Sequence, residues 1–221
     1  MSTFAELKSN KGTVSSELGK RLALEVLSGS KEILLEALDL VCLFPENKNE
    51  KKVRAGAAKI IECVAFENPG LIAPFLDKIY PALGVSEPQT RWMIIRTFGL
   101  CAKDNIEAAS KAVPFAKKYI QEKKAGQLCL VSSADIFLGD YGSISKLHAS
   151  EAYPILIMSL SNIILNEENW LLESFIKIAN LLSDERKSCL LNTGLSFKNA
   201  NGKRTRELAE KLLVICSFSK T

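Results

Sequence analysis

Apolar residues recur at helical spacing along almost the whole of this chain. From Ile72 they return at Phe75, Leu76, Ile79 and Leu83, along one face of a helix, and Ile106, Ala109, Val113, Ala116 and Ile120 do the same. Alternation of apolar and polar residues over strand length is almost missing. The pattern predicts helices over 15–28, 30–43, 50–66, 69–84, 87–103, 105–123, 125–139, 149–165, 167–182, 184–195 and 202–218.

Polar punctuation agrees with that periodicity. Asn68-Pro69 offers an N-cap residue followed by a proline whose missing N–H would have gone unpaired in a first turn. Ser86-Glu87-Pro88-Gln89 has the spacing of a capping box, in which Ser86 accepts from the backbone three residues on and Gln89 reaches back. Turns are expected at Pro45–Asn49, Gly139–Gly142 and Asn199–Gly202, where Gly, Pro and Asn collect.

Four windows repeat: Lys59–Ala65 (KIIECVA), Arg96–Ala102 (RTFGLCA), Glu173–Ala179 (ESFIKIA) and Lys211–Ser217 (KLLVICS). Each opens on a charge and closes on a small residue. Their starts lie 37, 77 and 38 residues apart, so the middle gap has room for one further unit near Ala134–Asp140, where the match is poor. An arginine precedes three of the windows by five residues: Arg54 before Lys59, Arg91 before Arg96 and Arg206 before Lys211. Glu168 stands there before Glu173. A period of roughly 37–40 residues, spent on two helices, is that of a stacked helical array whose units bury their apolar faces only against neighbours. The consecutive Trp92, Met93, Ile94 and Ile95 suit a second helix covered on most sides.

Val53-Arg54 and Thr90-Arg91 opening second helices, with Pro81, Pro114 and Pro154 inside first helices, resemble HEAT repeats of the HEAT/armadillo class, over nearly the whole chain after residue 30. The resemblance implies an all-α fold, a right-handed α-α superhelix of about five helix pairs. It also implies that second helices line a concave inner surface. The chain is read as one helical-repeat domain over 1–221, with an N-terminal cap over 1–29, repeats over 30–200 and a C-terminal helix over 201–221. Helix 15–28 sets Glu17, Lys20, Arg21 and Glu25 against Leu18, Leu22 and Val26, as an end cap should.

Composition narrows the functional classes. At 221 residues, 47% hydrophobic and 24% charged, the chain can bury a core without disulfides or metal. Its 29 basic and 25 acidic residues leave a net charge of +4 and a pI near 8.7, short of the concentrated basic face that duplex DNA needs. The start of the chain lacks an apolar signal-peptide region, and the longest charge-free stretch, Ala152–Asn166, is shorter than the roughly 20 residues that span a bilayer. Six cysteines stand singly, never as CxxC, which fits a reducing, cytoplasmic setting. With one histidine and no clustered cysteines, no metal or cofactor is expected.

Catalytic motifs are also missing: there is no GxSxG elbow, glycine-rich phosphate loop or HExxH, and Glu167-Glu168 and Asp184-Glu185 read as helix starts beside the positive dipole end. Asp135, Asp140 and Tyr141 are the weak pointer to acid chemistry beside an aromatic. The expectation is a non-catalytic, monomeric interaction scaffold without a membrane segment, holding a protein or peptide segment of acidic character in the concave groove. Candidate contacts are Lys59, Arg96 and Lys211, with Arg54, Arg91 and Trp170. The competing assignment for the arginines is a ladder between repeats, and for Trp92 the filling of gaps between units. A second class follows from the resemblance to HEAT-like proteins that remove alkylated bases from DNA with tryptophans and an aspartate, for which Trp92, Trp170 and Asp135 are the candidates.

Overall fold

A computed structural model describes residues 2–10, 17–43, 48–122, 128–161, 163 and 167–217. The described residues form helices joined by turns, with no strand among them, and the chain divides into two compact units, 1–115 and 116–221.

In the first unit α1 (Thr3–Ser9), α2 (Glu17–Leu27), α3 (Lys31–Leu40) and α6 (Pro88–Leu100) all pack against the long α4 (Lys48–Glu67). The reason lies in α4's composition, since Val53, Ala55, Ala57, Ala58, Ile60, Ile61, Val64 and Ala65 are all buried and small residues on several faces let neighbours approach. Helix α1 lies in a stretch where periodicity predicted none. Its N-terminus is capped locally and from outside: the Ser2 hydroxyl accepts from the Ala5 N–H at 3.3 Å, and the Glu36 carboxylate of α3 accepts from the backbone N–H of Thr3 at 2.9 Å and of Phe4 at 3.0 Å. Burial opposes ionisation of Glu36, but those two bonds prevail and lower its pKa. Helix α2 ends on Gly29, whose φ of 113° only glycine adopts readily, and whose N–H donates to the Val26 carbonyl at 2.9 Å.

The expected helix over 69–84 is broken into 3₁₀ turns at Pro69–Leu71, Ala73–Phe75 and Tyr80–Gly84 around a single α-turn, α5 (Leu76–Ile79). Pro74 and Pro81 each remove a backbone donor from the interior of the expected helix, so the i→i−4 ladder cannot run through. The apolar face survives the change, with Ile72, Leu76, Ile79 and Leu83 fully buried. Likewise 105–123 splits into α7 (Ile106–Ser110) and α8 (Val113–Gln121), with Pro114 in the first turn of α8. Neither predicted cap forms as expected. Asn68 makes no side-chain cap bond, and Ser86 donates instead to Glu87, the residue that precedes α6.

In the second unit α9 (Leu128–Gly142) packs on α10 (Lys146–Leu160) and α11 (Glu168–Ile178), and α13 (Lys203–Ser217) packs on α11 and on α12 (Asp184–Phe197). Pro154 lies inside α10. The segment Gly139–Gly142, expected as a turn, is the last turn of α9. A Cβ at Gly139 would stand 2.8 Å from the Ser174 Cα, and one at Gly142 would stand 2.7 Å from Ile178, so these glycines let α9 press onto α11. The Asn199–Gly202 turn forms as expected, and the expected turn at Pro45–Asn49 lies partly outside the described residues. The four repeated windows lie in the second half or at the end of helices α4, α6, α11 and α13, those at Arg96–Ala102 and Glu173–Ala179 running one or two residues past the helix, and the poorly matching window lies in α9, which packs on α11 as α11 packs on α13.

Candidate functional site

Arg54, Arg91 and Arg206 each interact with groups of the chain itself. Arg54, near the start of α4, is buried; its Nη1 donates to the Leu43 carbonyl at 2.8 Å, and its Nη2 pairs with Glu87 ahead of α6. Arg206 does a related job in the second unit, donating from Nη1 to the carbonyls of Ala200 at 2.8 Å and Asn201 at 2.9 Å. In both cases a guanidinium nitrogen donates to backbone carbonyl oxygens that precede the helix in sequence, one at Arg54 and two at Arg206. Arg91 is half-buried on α6.

One turn further along, Lys59 and Arg96 come together around a residue the sequence pattern did not single out. Glu62, only 4% exposed, accepts from Lys59 Nζ on one carboxylate oxygen at 2.9 Å and meets Arg96 Nη1 on the other at 2.9 Å. The Lys59 stem lies against Gly19 of α2, where a Cβ would come within 2.9 Å of its Cγ, so the ammonium is held between α2 and α4. Arg96 is steadied on its other side by the Trp92 ring, 6.0 Å away. Trp92 itself is half-buried, whereas Met93, Ile94 and Ile95 beside it are fully buried.

This charged trio edges a groove of about 380 Å³ between α2, α4 and α6 of the first unit. Ala23, Leu24 and Leu27 form one wall, and Cys63, Phe66 and Leu100 line the rest. Leu24 is 63% and Phe66 65% exposed, an uncommon pairing of large apolar side chains left open to water across one depression. Lys20 and Glu67 complete the rim. Glu62 was legible only as a carboxylate three residues after Lys59 in an apolar run. Nothing in the sequence paired Leu24 with Phe66, which are 42 residues apart and line one groove only through the packing of α2 on α4.

The remaining candidates lie in the second unit. Lys211 is exposed on α13. Trp170 is half-buried, with the Arg204 guanidinium 5.3 Å from its ring and Arg204 paired in turn with Glu173. Asp135 is buried in α9. Ser159 of α10 donates to its Oδ2 at 3.0 Å, while Oδ1 has no hydrogen-bond partner among the described residues, and burial pushes its pKa up to about 8. The three residues noted for acid chemistry have separate contacts: Asp135 with Ser159, Asp140 with Lys177 at 2.5 Å, and Tyr141 donating to Glu151.

Among the described residues no three His, Cys, Asp or Glu side chains converge to hold a metal ion. Burial raises the thiol pKa of Cys42, Cys63 and Cys216 and pushes that of Cys101 up to about 12, which disfavours thiolate chemistry at those positions. No helix among the described residues is long and apolar enough to cross a membrane.

No family model matches this chain, and no curated protein matches it. Among solved structures it is similar to the crystal structure of an engineered protein from the Northeast Structural Genomics Consortium, with a TM-score of 0.63 at 14% sequence identity over 96% of each chain. At that identity the likeness is one of fold alone: the chain is an all-α protein of helices packed on helices, compatible with a helical repeat.

Proposed function

We propose that this chain is a non-catalytic interaction scaffold: a HEAT-like superhelical stack of about five helix pairs, monomeric and cytoplasmic, that holds a segment of a protein partner. The observation that carries the proposal is the groove between α2, α4 and α6, where Leu24 and Phe66 stand exposed beside the Lys59–Glu62–Arg96 cluster. An apolar depression edged by fixed charge has the makeup of a peptide-binding surface, with apolar area supplying affinity and charge supplying orientation. The buried setting of Asp135 and the coverage of Trp170 by Arg204 favour this reading over base removal from DNA, which needs an acid and aromatics that a flipped base can reach.

The test is affinity capture from native extract with wild type and with a Lys59→Glu/Arg96→Glu/Lys211→Glu variant, half of each sample treated with nuclease. The expected result is protein that survives nuclease and is lost with the charge reversal. Nucleic acid recovered in its place would overturn the scaffold reading in favour of the repair one.

A further inference from the structure

We infer that the groove between α2, α4 and α6 selects a partner helix carrying two apolar side chains at helical spacing and a carboxylate beside them. The inference rests on the scaffold reading and names the occupant of that site. Its apolar half follows from geometry. Leu24 and Phe66 face solvent from opposite walls, and a depression of about 380 Å³ has room for the side chains of a passing helix but not for the helix itself.

The acidic half follows from charge. Glu62 is one carboxylate shared by two cations, and on the rim Lys20 offsets Glu67, so the groove keeps a net positive charge that is centred on Lys59 and Arg96. Both cations are also held in place before any partner arrives: the Lys59 stem is packed on Gly19, and Arg96 lies between Trp92 and Glu62. Arg96 reaches Glu62 through Nη1, and a guanidinium carries five N–H donors, so its fork has further donors to offer a second carboxylate. Cations fixed in advance lose little freedom on binding, and a lysine or arginine on the partner would be repelled.

The experiment is selection of random peptides of about 12 residues displayed on phage against the full chain, with counter-selection against a Leu24→Asp/Phe66→Asp variant. Both substituted positions are exposed, and circular dichroism checks that the variant keeps its helices. Expected are peptides with apolar residues at i and i+3 or i+4 and an adjacent Asp or Glu, which bind wild type at least tenfold more tightly than the variant and are weakened several-fold by Lys59→Met/Arg96→Met. Peptides that depend on the groove but carry no acid would overturn the charge selection and leave the scaffold reading standing. Peptides that bind wild type and variant alike would overturn the groove as the site and leave the scaffold reading to rest on another surface of the chain. A chain that selects no peptide and runs at twice 24.3 kDa, falling to one chain mass in the variant, would assign the groove to a second copy and overturn both.

Discussion

Glu62 in the first unit and Asp135 in the second are equally hidden, each 4% exposed, yet they are kept there by opposite means. Glu62 has a cation on each oxygen. Asp135 has one serine hydroxyl on Oδ2, nothing on Oδ1 among the described residues, and a pKa raised from 3.8 to about 8, chiefly by burial and further by Glu167. A buried carboxylate must be paired or neutralised, and the two units show the two solutions. The paired solution preorganises charge at a surface groove. The neutralised one fills the space between α9 and α10 and makes folding depend on pH.

The sharpest way to break the comparison is to titrate it. Between pH 3.8 and about 8 the folded chain keeps the Asp135 proton that the unfolded chain has lost, so stability falls as pH rises through that window and levels off above it. The slope is at most about 1.4 kcal/mol per pH unit, several kcal/mol over the window. Urea midpoints followed by Trp170 fluorescence in a Trp92→Phe background should show this decline in wild type, and Asp135→Asn should flatten it. Parallel pH curves for the two proteins would refute the neutral-carboxyl assignment.

Next in size, Glu62→Ala should destabilise the first unit by about 2 kcal/mol, because it leaves Lys59 and Arg96 facing each other without their shared anion. Adding Lys59→Met and Arg96→Met should restore most of that loss, since an apolar replacement of a whole ion cluster is often neutral. A triple variant no more stable than Glu62→Ala would mean that the carboxylate's own packing, rather than its cations, holds α4 to α6. Trp92 fluorescence in a Trp170→Phe background reports the unit concerned.

Ser159→Ala removes the one hydrogen bond recorded to the Asp135 carboxyl and should cost about 1 kcal/mol, while shifting the upper end of the pH window higher. An unchanged window in the denaturation series would show that the hydroxyl contributes packing alone. The smallest effect is expected at Glu36, a part-exposed carboxylate that caps α1. Its pKa is lowered on folding, so its contribution is present above the ordinary carboxylate range and is lost as pH falls through the folded value. Solvent screening keeps the effect of Glu36→Gln below about 1 kcal/mol. Amide exchange at Thr3 and Phe4 should accelerate in that variant and, in wild type, at acid pH; exchange unaffected by either would remove Glu36 as the cap.

Much of the helical content was legible because 3.6-residue periodicity is a local property. Ile72, Phe75, Leu76, Ile79 and Leu83 were assigned to one face, and all but the half-buried Phe75 are fully buried even though Pro74 and Pro81 interrupt the α-helical ladder there. Glycine was the least readable residue. Gly139 and Gly142 have the composition of a turn, but they serve as flat surface on α9 where α11 crosses. Helix α1 escaped notice because its seven residues give little periodicity and, beside the local cap at Ser2, two of its first N–H groups are satisfied by Glu36, more than 30 residues away in sequence. The repeated windows led to Lys59 and Arg96, and only the fold brought Glu62, Leu24 and Phe66 to them.

By itself, then, the amino-acid order determined that this chain is all-α, where most of its helices run and which faces they bury, because backbone hydrogen bonding and amphipathic spacing are settled within a few turns. Tertiary structure alone decided which carboxylate is paired and which is neutral, which arginines are tied to loop carbonyls, and where two exposed apolar side chains meet. Those outcomes depend on the dielectric and the neighbours that a distant helix supplies, and no local pattern encodes them.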